Sequence, residues 1–491
     1  MPFHIESIET FIRPLTPGRM VFSIGKQEPG FVSGVGAKTQ PPRRPGGVAL
    51  CRLTLKTDDG RTVIGCSGDR PSYGWLDKRP ERDPLTKLRA LIDLMHAARD
   101  VWMENPTFDS LFDHWLDRHG NIMQIGAERD HEALTASFAS AFIERALIDA
   151  ICRASDNPLW SAIKQGQVDF HPESVHPELK GYEIAKHLPS RPRTQFLIRH
   201  TVGLSDPLTN ADISERVDDG EPESLEEFAK RDGLRYFKVK ISGNPEEDIA
   251  RLRKIWEVIP KTPQTAVTLD GNEAYRDLGA FAGFVDHLEA EAPGLFDHLL
   301  FIEQPLTREL TLDPASKPWI AKISAKKSLV IDEADGELSA FRDAHAIGYA
   351  GTSHKNCKGF YKSLMNRALC HFYENRDGAD VFLTGEDLSL MPIVPLHQDF
   401  AALGVLGIEH CERNGHHYSY GLSHLTKEEK AMMLRDHPDL YVKRHDEVFL
   451  NIVNGSVSCA SLQVPGFGVK TLPDWSAMEP MQSWIDSNYP A

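Results

Sequence analysis

Tyr236-Phe237-Lys238-Val239-Lys240-Ile241 is followed by three short apolar segments that each end in a carboxylate. Ala266-Val267-Thr268-Leu269 ends in Asp270, Leu299-Leu300-Phe301-Ile302 in Glu303, and Leu329-Val330-Ile331 in Asp332. Apolar runs this short, separated by amphipathic stretches such as 246–258, read as buried strands alternating with helices. One carboxylate at a strand end is ordinarily a turn former or a helix cap. Three in consecutive strands call for another reading. In a parallel α/β barrel the C-terminal strand ends meet at one mouth, where functional groups collect. Three anions gathered there repel one another unless a cation sits between them. All-oxygen anionic ligation suits a hard divalent ion, Mg²⁺ first and Mn²⁺ second. Lys238 and Lys240, spaced by two, point to the same side of their strand. In an otherwise apolar strand they need anionic partners.

Working outward, the barrel reading extends over about 210 residues. Short apolar runs occur at 196–203, 236–241, 266–270, 299–303, 328–332, 347–352, 380–384 and 404–408. The intervening segment 360–373 lines Phe360, Leu364, Ala368, Leu369 and Phe372 along one helical face. A doubly wound open sheet is the structural alternative. No G-x-G-x-x-G follows any of these strands, which disfavours a dinucleotide-binding version. Upstream, 1–70 reads as strands interrupted by a Gly- and Pro-rich loop at 29–47, and 86–165 as helices. The clearest helix is 136–154, with Phe138, Phe142, Leu147 and Ile151 at helical spacing. Residues 165–194, rich in Pro, His and charge, resemble a connecting insertion. Short strand-like pieces return after about 440. The expected organisation is a capping domain of 1–165, a barrel of 195–440, and a C-terminal return of 441–491 to the cap.

Composition narrows the function classes. The 491 residues are 41% hydrophobic and 26% charged, which is globular rather than disordered. With 55 basic against 71 acidic residues the net charge is −16, unlike the basic face of a nucleic-acid binder. No run of about 18 apolar residues predicts a membrane span. The start, Met1-Pro2-Phe3-His4-Ile5-Glu6, lacks the basic and apolar regions of a signal peptide. Seven scattered cysteines without a Cys-x-x-Cys pair suggest reduced thiols and a cytoplasmic location. Cys357 and Cys411 lie near the candidate site in sequence, with small buried residues as the ordinary reading.

Further groups fall at later strand ends. Gly351-Thr352-Ser353-His354 leads into Lys355, so lysines occur on both sides of the carboxylates in chain order. Strands two and six of a barrel lie nearly opposite, which would place Lys240 and Lys355 on opposite faces of a bound molecule. Phe382-Leu383-Thr384-Gly385 ends in Glu386. The last run continues Ile408-Glu409-His410-Cys411-Glu412. His354 and His410 are read first as hydrogen-bonded structural histidines. Arg19, in the loop Thr16-Pro17-Gly18-Arg19-Met20, reads first as solvated and second as an anion contact.

The set Lys238-Val239-Lys240, Asp270-Gly271-Asn272, Glu303-Gln304-Pro305, Asp332-Glu333 and Lys355 resembles the enolase superfamily, in its mandelate racemase/muconate lactonizing and dipeptide epimerase branch. The helix Ser140 to Ala150, the strand His200-Thr201-Val202-Gly203 and the segment Pro465-Gly466-Phe467-Gly468 extend the resemblance over most of the chain. The resemblance implies a modified TIM barrel of (β/α)7β type with an α+β capping domain built from the N-terminal region and the C-terminal tail. It implies Mg²⁺ on Asp270, Glu303 and Asp332, with Lys240 and Lys355 as acid/base groups. Lys238, Glu386 and Glu409 would contact substrate, and Asn272 would support the site. The partner implied is a small carboxylate, deprotonated at its α-carbon to an enediolate. A homo-oligomer is compatible with such a chain.

An epimerase, racemase or cycloisomerase comes first among the expected activities. A dehydratase on the same site and a barrel without turnover are the alternatives. Departures are informative. Ala334 stands where the family often has Ser after Asp-Glu, and Gly359-Phe360 replaces a common Gly-Gly. Glu303 follows Asp270 by 33 residues and Asp332 follows Glu303 by 29, longer spacings than the branch usually shows. The absence of Asp-x-Asp at the eighth strand argues against a dipeptide and for a hydroxy- or unsaturated carboxylate.

Overall fold

The computed structural model describes residues 3–15, 46–57, 59–387, 390–414 and 420–490. Arg19 and nearly all of the 29–47 loop lie outside the described residues.

Eight parallel strands form a closed barrel: Gln195–Val202, Tyr236–Lys240, Ala266–Asp270, Leu299–Glu303, Ser328–Ile331, Gly351–His354, Phe382–Gly385 and His410–Glu412, strands one to eight below. Closure is the parallel pairing of strand eight with strand one, His410 opposite Leu197 and Glu412 opposite Arg199. Strands two to four are buried almost throughout, as expected where helices cover the outside and side chains fill the inside. The helices Pro245–Val258 and Phe360–Asp377 fall where the amphipathic pattern puts them.

Two runs were expected elsewhere. Strand six is Gly351–His354 rather than 347–352, because helix Ala340–Ile347 ends at Gly348, which has a positive φ of 125°. The run 404–408 is not a strand. It closes helix Val394–Leu406, buried at every position, and strand eight begins only at His410. A helix buried on all sides has no polar face, so its apolar end cannot be told from a strand by periodicity.

The cap is an antiparallel sheet of Phe3–Pro14, Gly47–Lys56 and Thr62–Asp69, against which helix Ala133–Ala154 packs. A Cβ on Gly65 would come within 2.1 Å of the Ala146 carbonyl, so glycine permits that close approach. The C-terminal strand Glu479–Pro480 pairs with Phe11 and Ile12 of the first strand. Phe467 N donates to Asp149 Oδ1 at 2.7 Å, docking Pro465–Gly468 on the cap helix. After strand eight the next helix, Lys427–Asp436, joins the cap side through the buried Arg13–Glu429 ion pair, leaving a (β/α)7β barrel. Between cap and barrel, segment 165–194 holds three short helical turns, and Tyr182 hydrogen-bonds His371 of helix Phe360–Asp377 at 2.7 Å. No helix among the described residues is long and apolar enough to cross a membrane.

Candidate active site

Asp270, Glu303 and Asp332 all lie at C-terminal strand ends and are buried. The chain turns sharply just after the first two. Asn272 (φ 42°), Glu273 (φ 67°) and Gln304 (φ 35°) are non-glycine residues in left-handed conformations, which cost energy and persist only when surroundings enforce them. Here Gly271 N donates to Glu303 O at 2.9 Å, and Gln304 Oε1 accepts from Asp332 N at 2.8 Å and Ala334 N at 3.1 Å. Three strand ends are thereby held in one register.

The lysines enter among these carboxylates. Lys238 Nζ lies 2.8 Å from Asp270, 2.7 Å from Glu303, 2.6 Å from Glu386 and 3.3 Å from Glu412. Burial disfavours its charge, yet the four anions outweigh that and hold its pKa well above the ordinary value. Lys240 Nζ donates to Asp270 Oδ2 at 2.6 Å and Asn272 Oδ1 at 2.7 Å. Lys355 Nζ donates to Asp332 Oδ2 at 2.7 Å. Its ammonium also lies 4.2 Å from the centre of the Trp75 ring, from the cap. Burial lowers the Lys355 pKa, but Asp332 overrides this and the net shift is strongly upward.

The carboxylates differ among themselves. Asp332 accepts from Lys355, from Ser353 Oγ, and has Lys358 at 3.2 Å, so its pKa falls well below the ordinary range despite burial. Glu303 has neither oxygen in a hydrogen bond; Lys238 approaches Oε2 as an ionic contact without hydrogen-bond alignment. Burial, and then the like charges of Asp270 and Glu386, push its pKa well up.

The three carboxylates fit a hard divalent ion in donor type, and the unsatisfied Glu303 oxygens are the feature that asks for one. Their arrangement is not that of a preformed cage. Among the described residues no three His, Cys, Asp or Glu side chains converge as a metal cluster. The Lys238 ammonium stands between Asp270 and Glu303, and Asp332 turns to Lys355 and Lys358.

Of the other expected residues, Glu386 is at the mouth, bound to Lys238 and to buried Arg199 of strand one. Asn272 bridges Lys240 and Glu333, with Nδ2 donating to Glu333 at 3.0 Å. Glu409 is a correction. It precedes strand eight, is two-thirds exposed, and pairs with Arg193 at 2.6 Å. Glu412, two residues into the strand, is the one facing the site. Thr201 Oγ1 donates to it at 2.6 Å, and despite burial the nearby Lys238, Lys240 and Lys355 keep it firmly ionised. His354 Nδ1 bonds Ser363 Oγ at 2.7 Å, and His410 packs beside Phe301 and Tyr236, its pKa lowered to about 3 by burial and Arg199. All seven cysteines are buried and free, and burial pushes the Cys411 thiol up to about 12 and Cys357 well above its usual value.

Missed from the sequence were Trp75, Lys78, Arg199 and Lys358. Lys78, from the cap, donates to Glu333 Oε1 at 2.7 Å and Asn272 O at 2.8 Å. It lines a cleft of about 560 Å³ between cap and barrel, with Asn272, Arg276 and Arg308.

Solved structures share this architecture. A mandelate racemase/muconate lactonizing enzyme from Bordetella bronchiseptica RB50 superposes with a TM-score of 0.58 at 13% identity, over 97% of this chain and 99% of that one. The fold is that of the mandelate racemase/muconate lactonizing enzymes. An isomerase from Streptomyces coelicolor A3(2) matches at TM-score 0.55 and 12% identity over 99% of both chains. A racemase from the same organism, with bound magnesium, matches at 0.51 and 13% over 96% of this chain and 98% of that one. No family model matches the sequence, and no curated protein does. At such identities the mandelate racemase-type likeness is one of fold, and the chemistry must be argued from this chain's own side chains.

Proposed function

We propose that this chain is a metal-dependent enzyme that removes a proton α to the carboxylate of a small hydroxy- or unsaturated acid. Its activity would be that of an epimerase, racemase or cycloisomerase. The observation that carries the reading is the placement of Lys240 and Lys355. One sits on strand two against Asp270, the other past strand six against Asp332, with Glu303 of strand four between those two carboxylates in the barrel order. Two buried ammonium groups at one barrel mouth are costly unless used. Asp270, Glu303 and Asp332 would hold Mg²⁺, or Mn²⁺ in its place. When bound, the ion supplies positive charge for the enediolate and draws the aspartates' charge away from the lysines.

Each lysine would take or return the α-proton on its own face. Asn272 orients Lys240 through its Oδ1. Lys238 lies within ion-pair distance of four carboxylates, so here it balances charge. The racemase with bound magnesium that shares this fold supports the reading.

One observation favours a dehydratase as the second reading. The Trp75 face and Asp332 both favour the charged form of Lys355, which suits a fixed cation beside an enediolate with Lys240 as sole base.

The test is deuterium wash-in. The chain with Mg²⁺ in D₂O is offered enantiomer pairs of 2-hydroxy acids, sugar acids and cyclic acids, and α-deuteration is read by NMR. Exchange that stops on chelation supports the reading. Turnover of Ala-Glu-type dipeptides at kcat/KM of about 10⁴ M⁻¹s⁻¹ or more would overturn the substrate assignment. Absence of exchange across all acid classes would overturn the reaction.

A further inference from the structure

The cap segment Tyr73–Arg79 reaches the surroundings of both lysines at once. Its helical turn Tyr73–Leu76 places the Trp75 ring against Lys355 at 4.2 Å. Three residues on, Lys78 Nζ donates to Asn272 O at 2.8 Å and to Glu333 Oε1 at 2.7 Å, and lies 3.3 Å from Glu273. Glu333 Oε1 in turn accepts from Asn272 Nδ2 at 3.0 Å, and Asn272 Oδ1 accepts from Lys240 at 2.7 Å. The cap thus addresses Lys355 directly and Lys240 through Asn272, which Lys78 holds both at its carbonyl and by way of Glu333.

The segment itself is well anchored. Asp77 N donates to Tyr73 O at 2.9 Å, closing the turn. Arg79 pairs with Asp77 at 2.7 Å, Asp130 at 3.0 Å and Glu132 at 3.2 Å, tying the segment to the start of the cap helix Ala133–Ala154. Arg308, the first residue of the helix Arg308–Leu312 that follows strand four, donates to the Leu76 carbonyl at 3.3 Å and binds Glu273 at 2.9 Å. The Trp75 indole nitrogen is buried with no hydrogen-bond partner among the described residues, so what Trp75 contributes here is its ring face.

We infer that Trp75 and Lys78 are paired positioning residues, Trp75 setting the Lys355 ammonium and Lys78 setting Lys240 through Asn272 and Glu333. The inference rests on the acid/base reading of the two lysines for its purpose, but its geometry is testable without any substrate. An ammonium over an indole face is restrained by about 1–2 kcal/mol where water is excluded, or about 5- to 30-fold in population. Losing that face frees one lysine and leaves the other untouched. A merely structural role for the segment, holding cap to barrel, would loosen both lysines together.

The experiment is peptide-resolved reductive methylation of the full chain with formaldehyde and cyanoborohydride, comparing wild type with Trp75→Leu, Trp75→Phe, Lys78→Met and Lys78→Arg. Trp75→Leu is expected to raise Lys355 methylation about five-fold or more, with Lys240 unchanged, and Trp75→Phe to retain most of the protection. Lys78→Met is expected to raise methylation of Lys240 and not of Lys355, with Lys78→Arg close to wild type. Equal change at both lysines in either variant, or no change in the folded variants, would overturn the inference. If a truncating variant does not fold, Trp75→Phe and Lys78→Arg decide it, and any loss of their expected protection counts against it. The functional readout follows in D₂O with the same enantiomer pairs. Trp75→Leu should slow exchange of one hand and Lys78→Met that of the other. If wild type exchanges neither hand, the proposed reaction fails while the methylation result stands.

Discussion

Glu303 and Asp332 end neighbouring strands of one barrel, equally buried, yet their electrostatic fates are opposite. Asp332 is surrounded by cationic and hydroxyl donors: Lys355, Lys358 and Ser353. Glu303 faces other carboxylates and, among the described residues, has one ammonium at ion-pair distance, which it shares with Asp270, Glu386 and Glu412. Burial acts alike on both, so the difference is one of neighbours. The comparison identifies Glu303 as the position where the protein has left negative charge uncompensated, and therefore where an added cation would gain most.

Four experiments break or sharpen this contrast, beginning with the largest effect. Glu303→Gln should weaken Mg²⁺ binding by more than the roughly 10–100-fold typical of residues that only support metal ligands. Asp270→Asn and Asp332→Asn should do the same. Titration calorimetry on folded variants checks this, and wild-type affinity in all three would remove the metal assignment.

Next comes stability without metal, where the two positions should part. Asp332→Asn strips the counter-charge from buried Lys355 and Lys358 and should cost about 3–5 kcal/mol in denaturant unfolding. Glu303→Gln removes an unsatisfied charge and should raise stability. If both variants are destabilised alike, the contrast is wrong.

Glu144 is a control for burial with satisfied oxygens. Trp115 Nε1 and Tyr361 N each donate to it at 2.8 Å, and burial pushes its pKa up to about 7. Because the folded pKa lies above the unfolded one, its contribution to stability is fully present below about pH 4.5 and is lost as pH rises to about 7. Across that window it should contribute a slope of about 1.4 kcal/mol per pH unit, which Glu144→Gln removes. Unfolding at pH 5, 6 and 7 reads it, and an unchanged slope in the variant would contradict the assignment.

The smallest effect separates the two eighth-strand glutamates. Glu409→Gln breaks only an exposed pair and should change stability by less than about 1 kcal/mol. Glu412→Gln, which takes an anion from Lys238, should cost more. A larger cost at Glu409 would reverse their placement.

That pair also shows where the sequence is legible. Asp270, Glu303, Asp332, Lys240 and Lys355 were readable because each closes or follows an apolar run, and a run ending in charge is visible in one dimension. Glu409 reads as the mouth residue because it follows the apolar stretch 404–408, which reads as the strand. That stretch is instead mostly the end of a fully buried helix, which moves the strand's mouth end three residues along. Arg199 sits inside strand one, and nothing in its local sequence points to its partner Glu386, 187 residues on. Trp75 and Lys78 carry no local signal at all. Their roles arise from cap-to-barrel packing across as much as 280 residues of chain, from Trp75 to Lys355, which no spacing rule encodes.

The central claim is that Lys240 and Lys355 each serve one face of the same α-carbon. Enantiomer-resolved deuterium exchange with Lys240→Ala and Lys355→Ala, Mg²⁺ present, tests it most directly. The account predicts that each variant loses exchange of one hand by about 10²–10⁴-fold while sparing the other, with the spared hand reversed between the two. Exchange of both enantiomers at wild-type rates in both variants would contradict it.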